Sequence, residues 1–257
     1  MKTLEGLTPF LAGGGRAQPT PEGIWHLTLP PVPRGYADAQ IDDYQSLARG
    51  AFRWRPPLRL ALRARASTPA PLGTLGFGFW NDPFTLSLGQ GGAARRLPAS
   101  PRALWFFYGS PPNDLAFAPA VRGDGWKAMS LSGPALPSLI LAPAAAAALL
   151  LSRLPLLRRL VIHAAKKTIH AAEASLPTPL DEWHSYALEW HPCEARFEVD
   201  GALALVSAVV PRAPLGFVAW IDNQYATASA SAGLRFGTLP TAGPQFLEIS
   251  DLRIDRL

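Results

Sequence analysis

The sequence is poor in cysteine and in charged residues. Cys193 is the only cysteine among 257 residues, so the chain can form no internal disulfide and has no thiol cluster for zinc. A chain without disulfides suits a reducing compartment, and we expect a cytoplasmic protein. Charged residues make up only 17% of the chain, and the net charge of +5 comes mostly from scattered arginines. We therefore expect no nucleic-acid partner.

Several signatures of common enzyme sites are also missing. No glycine-rich phosphate loop follows a strand, and no serine lies in a G-x-S-x-G elbow. His163 and His170 are seven residues apart, too far for a zinc site of the H-E-x-x-H kind. The sequence therefore predicts no catalytic metal, nucleotide or other cofactor. Residues 1–23 lack an uninterrupted apolar run, and we expect them to form a loose N-terminal arm.

What the sequence does contain is the pattern of short β-strands. Apolar and polar side chains alternate along residues 184–190 and again along 195–199. Asp200-Gly201 is a strong hairpin signal before the apolar run 202–206. The 27 prolines and 22 glycines also suit many short strands joined by turns. These segments predict an antiparallel meander of three strands.

The meander resembles a hairpin of the glycoside hydrolase family 16 enzymes and their relatives with the concanavalin A-like fold. Residues 183–201, WHSYALEWHPCEARFEVDG, are similar to the family's H-x-Y-A-x-E-W … x-F-x-V-D-G pattern. Three further segments, 36–41 and 53–80 before this hairpin and 247–255 after it, also resemble the family and occur in the family's order. The resemblance implies an all-β fold, an antiparallel two-sheet jelly-roll sandwich that forms a single domain over residues 24–257.

Residues 136–172 interrupt this pattern and occupy the place of an insertion. From Leu156 onward, polar residues recur at offsets of four, three and four against apolar ones, which predicts an amphipathic helix within 143–170. Three roles are open for it: packing on the protein's own sheet, closing over the cleft as a lid, or contact with an anionic membrane surface. Packing is the simplest of these interpretations.

Family 16 hydrolysis uses paired carboxylates, which the family carries as E-x-D-x-E or E-x-D-x-x-E on one strand. The resemblance places that strand after Trp80, at residues 101–109, where PRALWFFYG contains no Asp or Glu. No Glu-x-Asp-x-Glu occurs elsewhere in the chain. We therefore expect the family's retaining mechanism to be absent and rings to replace the acids on the floor of the concave cleft.

An aromatic cleft floor favours an apolar or aromatic small-molecule ligand. A lectin-like carbohydrate-binding module and a divergent glycoside hydrolase are the alternatives, and the rings could also be core residues only. The candidate ligand-binding residues are Trp80, Asn81, Trp105, Tyr108, Trp220 and Gln224.

Two aspartates are the candidate catalytic acids. The resemblance implies that Asp222 shares the concave face with Trp220 and Gln224, and Asp82 follows a neighbouring strand. With one pKa raised by apolar surroundings, the two would act as a general acid and base. The competing interpretation is that both are turn residues bonded to local N–H groups. The resemblance also allows a structural calcium ion on the convex side.

Overall fold

The computed structural model describes residues 6–83, 96–118, 121–136, 138–229 and 231–257. Within these residues the chain forms sixteen strands, two α-helices and one 3-10 turn at Arg49–Ala51. The strands are β1 Thr8–Ala12, β2 Arg16–Pro19, β3 Trp25–Leu29, β4 Asp38–Asp42, β5 Leu58–Ala66, β6 Thr74–Trp80, β7 Arg102–Gly109, β8 Gly125–Ser132, β9 His170–Ser175, β10 His184–Trp190, β11 Ala195–Val199, β12 Ala202–Ser207, β13 Gly216–Asp222, β14 Gln224–Ser229, β15 Gly233–Thr238 and β16 Gln245–Arg256. The helices are α1 Ser138–Leu151 and α2 Pro155–Thr168.

Fourteen of these strands form two antiparallel sheets that pack face to face. Sheet A has the order β1-β4-β13-β6-β7-β8-β9, and sheet B has the order β12-β11-β10-β5-β16-β3-β2. The remaining strands, β14 and β15, pair as a separate hairpin. The two-sheet, all-β sandwich expected from the sequence is confirmed.

The main core lies between the sheets because each strand turns alternate side chains inward. On β5, Leu58, Leu60 and Leu62 are buried, whereas Arg59 and Arg63 point away from the core. The meander 184–207 follows the same rule, with the inward residues of β10 and β11 facing one another in the expected register. Its alternation in the sequence therefore predicted both the strands and their buried faces.

The N-terminal segment is part of the sandwich rather than a loose arm. β1 pairs with β4 at the edge of sheet A, and β2 pairs with β3 at the edge of sheet B. Glycines between β1 and β2 let the chain cross from one sheet to the other, since a Cβ at Gly13 would lie 2.0 Å from the Tyr36 carbonyl oxygen. Strands β1 and β2 therefore belong to the two sheets of the sandwich.

The insertion is helical, as predicted, but it consists of two helices rather than one. Residues 152–154 separate α1 from α2, and Pro155 occupies the first turn of α2, where its missing N–H costs nothing. Strand β9 resumes at His170, in register with Ser132 on β8. The insertion therefore connects two neighbouring strands at one edge of sheet A.

Candidate functional site

Sheet A presents two different faces. Along β13, Phe217, Ala219 and Ile221 lie in the core between the sheets. The alternate residues Val218 and Trp220 belong to a second cluster on the outer face. This outer face is where the sequence analysis expected ligand binding.

Four rings meet on the outer face: Trp80, Trp105, Phe107 and Trp220. We call them the aromatic face. The Trp105 ring centroid lies 5.8 Å from that of Trp80, 5.6 Å from that of Phe107 and 5.4 Å from that of Trp220. Trp80 and Trp105 are half-buried, while Phe107 and Trp220 are buried. The aromatic face therefore offers two partly open indoles on a packed aromatic floor.

A glycine makes room for this packing. Gly76 lies directly opposite Trp220 in the register of β6 and β13. A Cβ at position 76 would lie 2.7 Å from Cη2 of Trp220 and 2.4 Å from the carbonyl oxygen of Phe106. The indole can lie across β6 because this position has no side chain.

The three indole N–H groups have different environments. Trp220 Nε1 donates a hydrogen bond to Thr74 Oγ1 at 2.9 Å, and Trp80 Nε1 donates to the Tyr44 hydroxyl. Trp105 Nε1 is buried and has no acceptor among the described residues. The first two rings are therefore fixed by hydrogen bonds, whereas Trp105 is held by its ring contacts.

Two aspartates lie directly opposite each other at one end of the aromatic face. Asp38 on β4 is paired in register with Asp222 on β13, and Asp222 shares the outer face with Trp220. Directly opposite residues in antiparallel strands have Cβ atoms about 4.5–5.5 Å apart. Both residues are buried, with 4% of Asp38 and 8% of Asp222 exposed. We call them the acidic pair.

The two carboxyl groups of the acidic pair are held differently. Asp222 Oδ1 accepts hydrogen bonds from the Thr74 N–H at 3.2 Å, the Thr74 hydroxyl at 2.8 Å and the Gln224 N–H at 2.9 Å. Asp38 Oδ2 accepts one hydrogen bond, from the Tyr36 hydroxyl at 2.9 Å. Asp38 Oδ1 is buried without a partner among the described residues. The protein therefore stabilises an anion at Asp222 better than at Asp38.

The protonation of the acidic pair follows from these environments. Burial and the neighbouring charge of Asp222 raise the pKa of Asp38 well above its ordinary value. Burial also raises the pKa of Asp222, but its hydrogen bonds from Thr74 and Gln224 oppose the shift. Of the two groups, Asp38 therefore favours the protonated form more strongly. One neutral acid beside one carboxylate is an arrangement suited to general acid and base chemistry, and equally to binding hydroxyl groups.

Strand β4 extends the acidic pair into a polar border. Asp38, Gln40 and Asp42 occupy alternate positions, and Gln40 lies opposite Trp220. Gln40 Nε2 donates to Asp42 Oδ2 at 2.8 Å, and Asp42 Oδ1 accepts from the Tyr44 N–H at 3.1 Å. The pKa of Asp42 is raised overall, because the effect of burial exceeds the opposing effect of these hydrogen bonds. The aromatic face is thus flanked on one side by hydrogen-bonding groups.

A buried ion pair fixes the loop on the other side. Glu173 Oε1 accepts hydrogen bonds from the N–H groups of Phe117 at 2.7 Å and Ala118 at 2.6 Å. Lys127 Nζ lies 3.5 Å from Glu173 Oε2 and donates to the Leu115 carbonyl at 3.2 Å. Leu115 and Phe117 pack against the aromatic cluster. The ion pair therefore supports one wall of the site.

The structure separates the two predicted catalytic acids. Trp80 is paired with Gly216, at the opposite end of β13 from Asp222, and Asp82 lies beyond Trp80. Asp82 forms a salt bridge with Arg96 instead. The predicted pairing of Asp82 with Asp222 is therefore wrong, because the strand register places them at opposite ends of the sheet.

Two predicted ligand-binding residues also lie away from the aromatic face. Tyr108 packs in the core between the sheets, since it follows Phe107 by one residue on a strand of period two. Asn81 is fully buried, and its side chain bonds the backbone at Ser100 O and Arg102 N, each at 2.9 Å. Both residues shape the fold rather than the outer surface.

The other predicted binding residues lie together. Trp80, Trp105 and Trp220 form the aromatic face, and Gln224 begins β14 beside the acidic pair. Their role in binding a ligand stays a prediction. The sequence reasoning missed Asp38, although the alternation of polar residues at 38, 40 and 42 was a signal that could have found it.

The strand expected to carry the family's acids lies where the resemblance placed it. Strand β7 is hydrogen-bonded to β6, and its residues Arg102–Gly109 include no Asp or Glu. Ala103, Trp105 and Phe107 are its outward residues. In the described ranges, no group of three or more His, Cys, Asp and Glu side chains could hold a metal ion.

No protein-family model and no curated protein matches this sequence. Solved structures do match its fold. A legume lectin-like domain from Entamoeba histolytica has a TM-score of 0.52 at 7% identity, and the match covers 99% of this chain and 91% of that domain. A Crh5 transglycosylase in complex with NAG has a TM-score of 0.50 at 11% identity, covering 98% of this chain and 79% of that enzyme.

Two longer proteins match with lower TM-scores. The chain spans 17% of a sialidase, with 98% of this chain covered, 8% identity and a TM-score of 0.43. It spans 59% of an endo-β-galactosidase from Clostridium perfringens, with 97% of this chain covered, 11% identity and a TM-score of 0.46. At such identities, a structural likeness describes the fold alone. The chain has the concanavalin A-like jelly-roll fold that its resemblance to glycoside hydrolase family 16 implied.

Proposed function

We propose that this protein binds a carbohydrate on the aromatic face of sheet A. The observation that carries the proposal is the position of Trp80 and Trp105, two half-buried indoles on one face with the acidic pair. A sugar ring has an apolar C–H face and a rim of hydroxyl groups. Indole rings suit the first, and carboxyl or amide groups at the edge suit the second.

The polar border weighs against the apolar or aromatic ligand expected from the sequence. Such a ligand would cover the half-buried Gln40 without offering it a hydrogen bond, and uncompensated burial of a polar group is costly. The similar structures point the same way, since one is named as lectin-like and another is a transglycosylase in complex with NAG. Carbohydrate is therefore the ligand class that we propose.

Calorimetric titration tests this proposal. We expect heat of binding from β-glucan or N-acetylglucosamine oligosaccharides, and Trp105→Ala should weaken binding by at least about tenfold, because it removes a central ring. Trp183→Ala is the matched control. Trp183 is also half-buried, but it lies near Arg63 and Arg65 of sheet B, with the guanidinium carbons 5.4 and 5.1 Å from its ring centroid. Equal losses in the two variants, or no binding to either sugar class, would contradict the proposal.

The acidic pair supports a second candidate function, cleavage or transfer of a glycosidic bond. Retaining glycosidases hold two carboxyl groups about 5–5.5 Å apart, a spacing compatible with opposite positions on neighbouring strands. Asp38 would donate the proton, and Asp222 would be the nucleophile. Release of reducing ends from β-glucans should then disappear in Asp38→Asn and Asp222→Asn while oligosaccharide binding persists. Binding without any turnover in the unmodified protein would leave only the lectin-like function.

A further inference from the structure

The helical insertion is an exposed hairpin held at a few points. On α2, Ile162 is buried, and Arg158 Nη1 donates to the Ser231 carbonyl at 3.0 Å. Lys166 Nζ donates to the Ala116 carbonyl at 2.6 Å. These three residues lie on one side of α2. That side therefore faces the body of the protein, and the opposite side faces outward.

The exposed side chains of the insertion are unusually apolar. Of the 16 large hydrophobic residues that are exposed in the described part of the chain, nine lie within residues 136–160. Leu156 is 95% exposed, Leu139 is 82% exposed and Leu160 is 66% exposed. The nine residues, which we call the leucine surface, are Leu136, Leu139, Ile140, Leu150, Leu151, Leu154, Leu156, Leu157 and Leu160. Apolar exposure concentrated in this way marks an interaction site.

The same segment carries the protein's net positive charge, which is therefore less scattered than the sequence analysis described. Residues 136–172 contain five of the 24 Lys and Arg residues and none of the 19 Asp and Glu residues. The rest of the chain, with 19 residues of each sign, is therefore neutral. Arg153, Arg159 and Lys167 are exposed beside the leucine surface. An apolar surface with cations beside it complements an anionic lipid surface.

The dimensions of the hairpin suit the membrane interface rather than a span. Each helix has 14 residues, which corresponds to about 21 Å, whereas the hydrocarbon core of a bilayer is about 30 Å thick. None of the helices in the described residues is long and apolar enough to cross a membrane. Interfacial helices bury an apolar side at the boundary between headgroups and acyl chains.

We propose that the α1–α2 hairpin docks this protein on the surface of a bilayer that contains anionic lipids. The leucine surface enters the headgroup boundary, and Arg153, Arg159 and Lys167 contact the negatively charged headgroups. This role adds to the packing role favoured by the sequence, because Leu156 and Leu160 are exposed while Ile162 on the other side of α2 is buried. It is also independent of the carbohydrate proposal, which concerns the outer face of sheet A.

Vesicle flotation of the full chain tests the docking proposal. We expect the protein to float with vesicles of phosphatidylcholine mixed with phosphatidylglycerol and to bind pure phosphatidylcholine at least about tenfold more weakly. The double variant L156E/L160E should abolish flotation. The triple variant R153E/R159E/K167E should remove the preference for phosphatidylglycerol. All the substituted residues are exposed, and circular dichroism verifies that each variant is folded.

Leu203→Glu is the matched control, because Leu203 is 60% exposed on β12, outside the insertion. It should float like the unmodified protein. Binding that L156E/L160E leaves intact would overturn the proposal, and so would equal binding to both kinds of vesicle. A dimer in light scattering that L156E/L160E dissociates, without vesicle binding by the unmodified protein, would also overturn it and would assign the leucine surface to a second copy of the chain.

Discussion

The charged side chains on the outer faces of the two sheets differ in their exposure to solvent. On sheet B, Arg59 pairs with Glu189 at 2.9 Å and Arg65 pairs with Glu248 at 2.6 Å, and about 40% of each arginine side chain is exposed. On sheet A, the two carboxyl groups of the acidic pair are buried, and burial is the largest cause of their raised pKa values. On sheet B, the charged side chains form partly exposed ion pairs. On sheet A, buried carboxyl groups lie beside aromatic rings.

This difference bears on which face is the better candidate for ligand binding. Exposed ion pairs are already solvated, and an added partner gains little from them. Buried acids of raised pKa beside half-open indoles cost folding free energy, and such groups cluster at functional sites. The face of sheet A is therefore the better candidate for binding, and the following predictions test the contrast between the two faces.

The largest expected effect comes from filling the space behind Trp220. In Gly76→Ala, the new Cβ would meet both the Trp220 ring and the Phe106 carbonyl, so we expect a loss of about 1–3 kcal/mol in the free energy of unfolding. Chemical denaturation measures the loss, and near-ultraviolet circular dichroism reports the displaced rings. Gly243→Ala is the control, because a Cβ there meets nothing within 4 Å. Equal stability of the two variants would contradict the packing described here.

An intermediate effect, with a distinct pH dependence, is expected from Asp38→Asn. The folded state raises the pKa of Asp38, so it binds this proton more tightly than the unfolded chain does. The stability from that tighter binding is complete below the unfolded pKa and declines as pH rises toward the folded value. Asn is neutral and still accepts the Tyr36 hydrogen bond. The melting temperature of the variant should therefore be several degrees higher than that of the unmodified protein at pH 8 and equal to it near pH 3.

Asp200→Asn provides the opposite case for this measurement. Burial raises the pKa of Asp200, but the hydrogen bonds from the Ser185 N–H and from His184 together outweigh it, so the pKa is lowered overall. Its stabilisation is present at neutral pH and is lost as pH falls through the folded pKa. Asp200→Asn should therefore lower the melting temperature at pH 7. If both variants shift the melting temperature in the same direction at neutral pH, the contrast between the two environments fails.

The smallest effect is expected on sheet B. Glu248→Gln removes the negative charge that pairs with Arg65 at 2.6 Å and lies 3.0 Å from the ring nitrogen of His26. Because the Arg65 side chain is 38% exposed, we expect a cost of at most about 1 kcal/mol that diminishes in high salt. Thermal unfolding at low and high ionic strength measures it. A larger loss that salt leaves unchanged would mean that this face is not simply solvated.

The sequence predicted the positions of the strands along the chain better than it predicted which strands are adjacent in a sheet. Alternation along 184–199 identified the meander and its buried residues, because period two depends only on local pattern. The same alternation, counted from the outward-facing Trp105, places Phe107 on the outer face and Tyr108 in the core, as the structure has them. The position of β7 next to β6 came from the family resemblance and agrees with the structure.

The pairing of Asp38 with Asp222 could not be predicted from the sequence, because it depends on which strands are adjacent. Asp38 and Asp222 are 184 residues apart in sequence and meet only because β4 pairs with β13. The sequence offers Asp82 as an equally good partner for Asp222, but the strand register places Asp82 at the other end of the sheet. The outward direction of Leu156 was equally hidden, since periodicity shows that a helix has two sides but not which one faces the protein.

The most direct test of the ligand-binding face uses the eight tryptophans as reporters. In a nitrogen-15 NMR titration with β-glucan and N-acetylglucosamine oligosaccharides, the indole signals of Trp80, Trp105 and Trp220 should move together with a single binding constant, while that of Trp183 on the sheet B side stays in place. Movement of Trp183 alone, or saturation without movement of Trp105, would contradict the assignment of binding to sheet A.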